Sequence, residues 1–481
     1  MENALRRPSR VRRSSEDFFL LYTTEIAETV TYQAPRLLIA GTHSGCGKTT
    51  VTLALTQALT SRGLRVQPFK TGPDYLDSGH LAALAGRPCR NLDTWMLSRE
   101  AVREVFLRGA SQADLSLVEG VMGLHDGRVG EGRTASTAEV AAELKIPVLL
   151  VLDVSGMGRS AAALVSGYAD FDPDVKIQGV VLNRVGSERH ARIISDELRT
   201  RGMPVLGWLL KDPRLALPER YLGLVTARES SLEPGLTQMS AQSGSHIDLE
   251  QILAIARGAP PLDTSVPPAR PAQSPVVVAY ALDDAFQFYY EEGLEALRQA
   301  GADLVPFRPL TDARLPAGTQ ALYIGGGYPE LRARELEQNT SLRREIREFS
   351  DSGHPVYAEC GGLMYLMEGL LDPEGKEHRM VGVFPGRTRM GKQRRALGYC
   401  TVRTRKESTF LPADLEVRAH EYHYSRLEDA SGEYVYDVRK TPQDAPTPDG
   451  LLRHRTLASY VHMDFAGIPL MAERLVEAAR T

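Results

Sequence analysis

The stretch Gly41-Thr-His-Ser-Gly-Cys-Gly47-Lys48-Thr49-Thr50 decides the fold of the first half of the chain. It follows the apolar run Arg36-Leu-Leu-Ile-Ala40 and precedes a helix-like segment that starts at Val51, so the pattern is strand, glycine turn and helix. In such a turn, backbone N–H groups and the positive helix end hold phosphate oxygens, while Lys48 neutralises the outer phosphates and the Thr49 hydroxyl ligates Mg²⁺. Five residues, rather than the usual four, separate the two outer glycines. The stretch therefore predicts an extended phosphate loop that binds ATP or a similar nucleotide.

Length and composition are typical of a globular protein with several domains. The chain has 481 residues, of which 42% are hydrophobic and 25% charged, and its formal net charge is -4. Common domain sizes predict about two to four domains, and this charge favours neither nucleic acid nor an anionic membrane as a partner. The 4 cysteines are scattered without metal-ligand spacing, and no apolar run approaches the ~20 residues of a membrane-spanning helix. We expect a cytoplasmic protein with no nucleic-acid or membrane partner, and we leave a homodimer open.

Alternating apolar and amphipathic stretches predict two α/β regions. Near-continuous apolar strands in residues 35–241 predict a parallel sheet covered on both faces, and a second alternating series in residues 275–481 predicts a sheet of its own. Residues 242–274 are rich in proline and are predicted to be a linker. Residues 1–34 are predicted to be a flexible tail.

Polar residues follow the predicted strands of the first region, where open α/β sheets bind ligands. Lys70 to Asp77 follows one strand and Glu119 to Asp126 follows another. Their carboxylates can share Mg²⁺ with Thr49, and Lys70 can balance charge on a phosphoryl group during transfer. Asn183, at the end of a later strand, can hydrogen-bond a base edge. Each of these residues alone is about as typical of a turn or helix cap as of catalysis.

The second region contains a candidate nucleophile. Val356-Tyr-Ala-Glu-Cys360-Gly-Gly-Leu-Met predicts a strand, a sharp turn and a helix, which exposes the Cys360 thiol at a helix N-terminus where thiolate is stabilised. His462, distant in sequence, can act as its base. Gly326 and Gly327 offer backbone N–H groups for a tetrahedral oxyanion. A lone cysteine is more often buried and structural, but this combination predicts a nucleophile.

Two further clusters leave alternatives open. A basic run is equally typical of a solvated loop and of a site for a substrate with many carboxylates. It consists of Arg387, Arg389, Lys392, Arg394 and Arg395. The stretch His420-Glu-Tyr-His423 has its histidines three apart rather than four, which favours a structural or substrate-facing role over metal binding.

The motifs together resemble a known family. GTHSGCGKTT, RVQPFKTGPDYLD, NLDTWML, EGVMGLHDG, GVVLNRVGSERH and LPERYLGLV resemble the cobyrinate a,c-diamide synthases, whose nucleotide domain is similar to dethiobiotin synthetase. VYAECGGLMYL, GGGYPE and YVHMDF resemble the glutaminase domain of class I glutamine amidotransferases. The resemblance implies an α/β protein with an N-terminal P-loop, dethiobiotin-synthetase-like parallel sheet domain and a C-terminal class I glutamine amidotransferase-like domain.

The resemblance also implies an activity. It is amidation of the a and c carboxylates of cobyrinate or hydrogenobyrinate with ammonia from glutamine, through an acyl phosphate, in cobalamin biosynthesis. ATP and Mg²⁺ are the implied cofactors, and the tetrapyrrole and glutamine are the implied partners. Two alternatives stay open: a nickel sirohydrochlorin substrate, and a partition-type P-loop ATPase switch with a non-catalytic second domain.

The motifs and the resemblance together give a set of candidate site residues. Catalysis is assigned to Cys360, His462 and Asp464. Many relatives have glutamate at the position of Asp464, so both a triad and a dyad stay open. Nucleotide binding is assigned to Gly41, Thr42, Gly45, Gly47, Lys48, Thr49, Thr50, Lys70 and Asn183. Mg²⁺ is assigned to Thr49, Asp74 and Glu119. Substrate binding is assigned to Asp74, Tyr75, Leu76, Asp77, Asp126, Gly326 and Gly327. His125 stands where the family leads us to expect an aromatic residue.

Overall fold

The computed structural model describes residues 29–213, 219–220, 223–224, 246–265, 274–391, 393 and 395–481. These residues form two compact units. The N-terminal unit contains the described residues up to 265 together with Phe288–Ala296, and the C-terminal unit contains residues 274–287 and Leu297–Thr481. Among the described residues, no helix is both long enough and apolar enough to cross a bilayer.

The N-terminal unit is built on a parallel sheet. Its strands are β1 (Thr29–Tyr32), β2 (Arg36–Gly41), β3 (Val66–Thr71), β4 (Arg90–Leu92), β5 (Leu115–Glu119), β6 (Val148–Asp153), β7 (Ile177–Val185), β8 (Val205–Leu210), β9 (Glu219–Arg220), β10 (Gly223–Leu224) and β11 (Leu262–Ser265). Seven of them form one sheet in the order β4-β3-β5-β2-β6-β7-β8, with every neighbouring pair parallel. The predicted parallel sheet is confirmed.

Helices cover this sheet. They are α1 (Lys48–Thr60), α2 (Leu76–Ala85), α3 (Arg99–Ala110), α4 (Thr137–Glu143), α5 (Ser160–Phe171), α6 (Glu188–Arg199) and α7 (Leu249–Arg257). Serine hydroxyls at 98, 136 and 187 each accept the backbone N–H three residues later, which satisfies a donor of the first helical turn. Leu37 and Ile39 of β2 pack with Val51 and Leu55 of α1 in one apolar cluster, so the phosphate loop is held between two buried elements.

Residues 246–265 differ from the predicted linker. Leu249 and Ile252 of α7 belong to the same apolar cluster as β2, and β11 pairs antiparallel with β1, which lies in the predicted tail. The nearby prolines concealed a helix whose apolar residues are spaced three or four apart. The other residues of the predicted tail (1–28) and of the predicted linker (242–245 and 266–273) lie outside the described residues.

The C-terminal unit contains two sheets. Its strands are β12 (Val276–Ala281), β13 (Ala302–Phe307), β14 (Ala321–Ile324), β15 (Val356–Glu359), β16 (Met367–Leu371), β17 (Glu377–Arg379), β18 (Phe384–Met390), β19 (Ala396–Thr404), β20 (Glu416–His423), β21 (Ser425–Glu428), β22 (Glu433–Arg439), β23 (Thr447–Arg453) and β24 (Thr456–Ser459). Nine strands form a sheet in the order β13-β12-β14-β15-β24-β23-β22-β19-β20, and four form a sheet in the order β17-β16-β18-β21.

The larger sheet is parallel from β13 to β24 and antiparallel beyond β24. The remaining helices are α8 (Glu291–Ala300), which spans the two groups of residues, α9 (Ala333–Gln338), α10 (Thr340–Asp351), α11 (Gly361–Leu366) and α12 (Pro469–Arg480), and a 3₁₀ turn covers Pro329–Arg332. Because β14, β15 and β24 are parallel neighbours, the residues that follow them meet at one edge of the sheet.

Candidate active sites

The phosphate loop connects β2, which ends at Gly41, to α1, whose first turn contains Thr50; Thr42, Gly45 and Gly47 lie between them. Gly45 and Gly47 have φ angles of 79° and 99°, in the left-handed region that favours glycine. Lys48 begins α1, so the unpaired N–H groups of the first helical turn lie at the loop. The geometry is that of an anion-binding loop.

Lys48 lies over the loop. Its Nζ donates to the carbonyl oxygens of His43 at 3.3 Å and Met122 at 2.5 Å. Burial lowers the pKa of this ammonium group. An anion at the loop would therefore gain a strong electrostatic partner that water screens poorly.

Asn183 supports the loop from β7. Its Nδ2 donates to the carbonyl oxygen of Cys46 at 2.9 Å. A Cβ added to Gly47 would lie 1.9 Å from that nitrogen, so only glycine permits the close approach. This contact gives Asn183 a positioning role toward the loop backbone, and its contact with a nucleotide base stays a prediction.

A cluster of carboxylates surrounds Lys70 at the carboxyl end of β3. Its Nζ lies 2.5 Å from Asp77 Oδ2, 2.7 Å from Glu119 Oε1 and 4.0 Å from Asp74 Oδ2. The Thr49 hydroxyl donates to Glu119 Oε1 at 2.7 Å, which joins the cluster to the phosphate loop. The structure thus brings together five of the residues that the sequence assigned to this centre.

The charges of this cluster are coupled. Burial raises the pKa of Glu119 to about 7, although the ammonium of Lys70 opposes the shift. Burial and the neighbouring Asp77 raise the pKa of Asp74 to about 6. Burial acts to raise the pKa of Asp77 as well, but Lys70 outweighs it and the pKa is lowered. Burial acts to lower the pKa of Lys70, but the three carboxylates outweigh it and the pKa is raised. The single positive charge of Lys70 therefore lies beside three carboxyl groups, and the excess of negative charge favours binding of an additional cation.

The predicted Mg²⁺ ligands fit that ion. Oε2 of Glu119 is buried and accepts no hydrogen bond from any described residue, and the Thr49 hydroxyl lies beside the same carboxylate. Oxygen donors are the ligands that Mg²⁺ prefers, and the ion commonly keeps waters and phosphate oxygens as well. Within the described ranges, no group of three or more His, Cys, Asp or Glu side chains is arranged to hold a metal. A Mg²⁺ ion here would take part of its ligand set from the Thr49 hydroxyl and nucleotide oxygens, and the assignment of Thr49, Asp74 and Glu119 as its ligands stays a prediction.

The predicted substrate residues of the N-terminal unit surround this cluster. Asp74 Oδ1 accepts the backbone N–H groups of Leu76 and Asp77, each at 2.9 Å, and so caps α2. The ring of Tyr75 stacks between those of Phe288 and Tyr290, with centroids 5.1 Å and 4.5 Å away.

The loop after β5 holds the other acidic candidate. Asp126 Oδ2 accepts the backbone N–H of Gly123 at 3.0 Å. The neighbouring His125 ring packs on Phe171 at 4.6 Å and on Tyr168 at 5.6 Å. The His125 ring therefore belongs to a cluster of aromatic rings.

Cys360 occupies a strained turn between β15 and α11. Its φ and ψ are 47° and -101°, a conformation that residues with a side chain rarely adopt. Its backbone N–H donates to the carbonyl oxygen of Ser459 at 2.7 Å. The predicted exposure of the residue is wrong: Cys360 is only 7% exposed because β20 covers it, with Sγ 3.8 Å from the carbonyl oxygen of Tyr422.

His462 lies beside this thiol. Its Nδ1 forms an ion pair with Glu359 Oε2 at 3.6 Å, and both Cys360 and Glu359 favour the protonated imidazole. Burial acts to lower the pKa of His462, but these two partners outweigh it and raise the pKa to about 10. The imidazole of His462 is therefore protonated at neutral pH and places a positive charge beside the Cys360 thiol. Sequence reasoning missed Glu359, although an acidic residue at the end of an otherwise apolar strand was a signal.

Asp464 lies two residues beyond His462 and is buried. Its Oδ1 accepts the backbone N–H of Ala466 at 2.8 Å, and its carbonyl oxygen accepts those of Gly467 and Ile468. These contacts shape the turn before α12. A place for Asp464 in a catalytic triad stays a prediction.

Gly326 and Gly327 follow β14 and lie next to the Cys360 turn. A Cβ added to Gly361 would lie 3.0 Å from the backbone nitrogen of Gly327. A Cβ on Gly327 itself would lie 2.1 Å from the carbonyl oxygen of Ala285, so a side chain has no room there. The predicted oxyanion backbone is thus adjacent to the nucleophile.

Two arginines of the basic run, Arg387 and Arg389, are engaged in ion pairs. Arg389 Nε lies 2.8 Å from Glu428 Oε1, and Arg387 Nε lies 3.6 Å from Glu428 Oε2. Hydrogen bonds from Arg389 and Arg426 lower the pKa of Glu428 to about 2. Lys392 and Arg394 lie outside the described residues.

The two histidines of β20 have structural contacts. Backbone groups of His420 and His462 bond in both directions, at 3.1 Å and 2.8 Å, which aligns β20 with the candidate base. Burial and the charge of His462 lower the pKa of His420 to about 3. The His423 ring stacks on Tyr460 at 3.9 Å. These contacts agree with the structural role that the spacing favoured.

Comparison with known proteins covers both units. Residues 37–224 match the CobQ/CobB/MinD/ParA nucleotide binding domain, and residues 277–468 match the CobB/CobQ-like glutamine amidotransferase domain. The cobyrinate a,c-diamide synthase of Syntrophotalea carbinolica is 45% identical over 453 residues, which are 93% of this chain and 99% of that protein. The chain belongs to the cobyrinate a,c-diamide synthase family. Members from Dehalococcoides mccartyi and Leptospira interrogans are 40% and 41% identical, over 93% and 92% of this chain and 98% of each relative.

Membership in the cobyrinate a,c-diamide synthase family confirms the predicted α/β fold class and the order of its two domains. The nucleotide-domain match alone also includes MinD and ParA, so it does not separate a ligase from a partition-type switch. The second domain separates the two alternatives, because it matches a glutamine amidotransferase domain, whereas the switch was predicted to have a non-catalytic second domain. The family is one of glutamine-hydrolysing ligases, and its first domain binds nucleotide.

Proposed function

We propose that this protein amidates the a and c carboxylates of cobyrinate with ammonia from glutamine, at the expense of ATP, in cobalamin biosynthesis. One observation carries the proposal: a single chain combines a phosphate loop joined to buried carboxylates with a cysteine–histidine pair at a strained turn. The first centre can activate an acid, and the second can release nitrogen from an amide. Relatives that match nearly the whole chain carry the name of this activity.

The N-terminal unit would activate the substrate carboxylate. A carboxylate oxygen attacks the γ-phosphorus of ATP, the bond to the β-phosphate oxygen breaks, and acyl phosphate and ADP form. Lys48 holds the outer phosphates, and Lys70 offsets charge on the transferred group. Bound Mg²⁺, held by Thr49, Glu119 and Asp74, would supply positive charge to the phosphate oxygens. Asp77, Asp126, Tyr75 and Leu76 would position the incoming acid group.

The C-terminal unit would produce ammonia. The Cys360 thiolate attacks the side-chain carbonyl carbon of glutamine, and backbone N–H groups near Gly326 and Gly327 stabilise the oxyanion. His462 gives its proton to the leaving nitrogen, which departs as ammonia and leaves a glutamyl thioester. His462 then takes a proton from water, whose oxygen displaces the sulfur and gives glutamate.

The two half-reactions combine into one ligation. The ammonia nitrogen attacks the acyl phosphate carbon, a proton is lost, and inorganic phosphate leaves. Each amide therefore requires one ATP and one glutamine. Two cycles would convert the a and c carboxylates.

The central metal of the tetrapyrrole is tested directly. Cobyrinate, metal-free hydrogenobyrinate and nickel sirohydrochlorin are each incubated with the purified protein, ATP, Mg²⁺ and glutamine. We expect two amides per cobyrinate, detected by mass spectrometry. Faster amidation of hydrogenobyrinate or nickel sirohydrochlorin would identify that tetrapyrrole as the substrate instead of cobyrinate. Amidation of none of the three would reject the proposed function. Tetrapyrrole-independent ATP turnover controlled by a protein partner would instead favour the switch.

A further inference from the structure

Glu359 is a buried acid whose contacts leave its carboxylate firmly held. It is the last residue of β15 and only 1% exposed. Oε1 accepts the Tyr357 hydroxyl at 2.7 Å and the backbone N–H of Met463 at 2.9 Å, and Oε2 accepts the Tyr323 hydroxyl at 3.1 Å. A buried carboxylate is costly unless it has such donors and a cationic partner.

The cationic partner is His462. Oε2 of Glu359 lies 3.6 Å from its Nδ1 in an ion pair, and Cys360 is the other group that favours the protonated form of the same imidazole. A carboxylate at Nδ1 fixes the tautomer and the ring orientation of a histidine base, and it stabilises the imidazolium that forms.

The fold explains how a residue adjacent to the nucleophile reaches the base. Glu359 pairs with Ser459 across the parallel strands β15 and β24, and the N–H of Cys360 donates to the carbonyl oxygen of Ser459. The strained turn at Cys360 then redirects the chain, so residues 359 and 360 both face the segment that follows Ser459. His462 lies in that segment.

We propose that Glu359 is the carboxylate that positions and charges His462 in the glutaminase centre. It acts through the histidine and does not touch the reacting atoms, so it is a positioning residue. This role of Glu359 rests on the proposed function, but alkylation of the Cys360 thiol tests it without glutamine.

Several polar and titratable groups surround Glu359 and His462 and contribute to their charges. Cys360, Glu359 and His420 face His462, and Tyr323 and Tyr357 face Glu359. Glu359→Gln preserves the shape and an acceptor oxygen but removes the negative charge. Burial then disfavours the imidazolium of His462 more strongly, because the negative charge of Glu359 no longer offsets it. The Cys360 thiolate, which the imidazolium stabilises, should then form at higher pH.

The test compares Glu359→Gln with Glu359→Asp and Asp464→Asn. Glu345→Gln is the matched control, because Glu345 accepts the backbone N–H of Leu315 elsewhere in the same unit. The readouts are glutaminase kcat and KM, ammonia-dependent synthesis, and the pH profile of Cys360 alkylation by iodoacetamide, located by peptide mass mapping. Ammonia-dependent synthesis shows that the N-terminal unit of each variant is intact, and a thermal unfolding transition like that of wild type shows that the C-terminal unit is folded.

For Glu359→Gln we expect a fall in glutaminase kcat of about 100-fold or more, with the alkylation profile moved to higher pH. Glu359→Asp should recover part of both, and Glu345→Gln should change neither. An unshifted profile in Glu359→Gln, or a shift confined to Asp464→Asn, would overturn the inference. Wild-type protein without glutaminase activity would reject the proposed function instead, while the alkylation profile would still decide the role of Glu359.

Discussion

The two reaction centres each bury a cation beside acid groups, but with opposite balances of charge. In the N-terminal unit, one ammonium group of Lys70 serves Asp74, Asp77 and Glu119, and the Asp74 side chain is still 30% exposed. In the C-terminal unit, His462 and Glu359 are 2% and 1% exposed, and the imidazole has one carboxylate and one thiol as partners.

This difference indicates how each centre becomes active. Burial, with a smaller contribution from the neighbouring Asp77, raises the pKa of Asp74 to about 6 and that of Glu119 to about 7, so the charge of this centre should respond to a bound cation or nucleotide. In the second centre, the proposed nucleophile, base and positioning acid are already in contact range within the fold. We therefore expect ligands to organise the first centre and the fold alone to organise the second.

The largest expected effect separates the two centres. Cys360→Ala should lower glutamine-dependent synthesis by about 1,000-fold or more, because no other group supplies the thiolate. Ammonia-dependent synthesis should stay within about threefold, since the first centre is unchanged. Cys400→Ala, which removes another buried thiol of the same unit, is the control. Glutamine use that survives Cys360→Ala would show that the assigned nucleophile is wrong.

A complementary effect is expected from the phosphate loop. Thr49→Ala removes the hydroxyl that contacts Glu119, and we expect synthesis from both glutamine and ammonia to fall by about 100-fold. Glutamine hydrolysis without tetrapyrrole should change little. Thr60→Ala is a matched control at the other end of α1, where the hydroxyl bonds only to helix carbonyls. If only glutamine-dependent synthesis fell, Thr49 would not act in carboxylate activation.

The charge excess of the first centre predicts a pH-dependent stability. Burial raises the pKa of Glu119 from 4.5 to about 7, so the folded protein binds this proton more tightly than the unfolded chain. Its stabilising contribution is complete below pH 4.5 and is lost as the pH rises through about 7. Because glutamine does not titrate, the Tm of Glu119→Gln relative to wild type should increase across this range. Calorimetry at several pH values measures it, and a constant or falling difference would contradict the charge balance described for this centre.

The smallest effect is expected outside both centres. Arg389→Gln removes a partly exposed ion pair that is already made with Glu428, so the Tm should change little. The KM for the tetrapyrrole should change by less than about threefold. Arg403→Gln, which removes a similar pair with Asp414, is the control. A tenfold rise in KM confined to Arg389→Gln would show that the basic run recognises substrate carboxylates.

Local patterns made much of this predictable. The phosphate loop is contiguous, so its strand, glycines and helix could be recognised in ten residues, and the turn at Cys360 was equally local. The contact between Glu359 and His462 joins residues 103 positions apart, and it depends on the register of β15 against β24, which no single stretch contains. Proline-rich composition likewise concealed α7.

Burial was the other quantity that sequence could not supply. The coverage of Cys360 by β20 comes from a strand more than 50 residues later. Similarly, Asn183 ends a strand where ligand contacts are common, but its observed contact is to the backbone of the phosphate loop. In both cases the sequence singled out the residue, while its neighbours depended on tertiary packing.

If the two centres act on one product, the amounts of ADP, glutamate and amide formed must be in a fixed ratio. Cobyrinate is incubated with ATP, Mg²⁺ and glutamine labelled with ¹⁵N in the side-chain amide, and ADP, glutamate and labelled amide are counted in the same samples. We expect one ADP and at least one glutamate for every ¹⁵N amide formed. Labelled amide that accumulates without ADP would contradict the cooperation of the two centres.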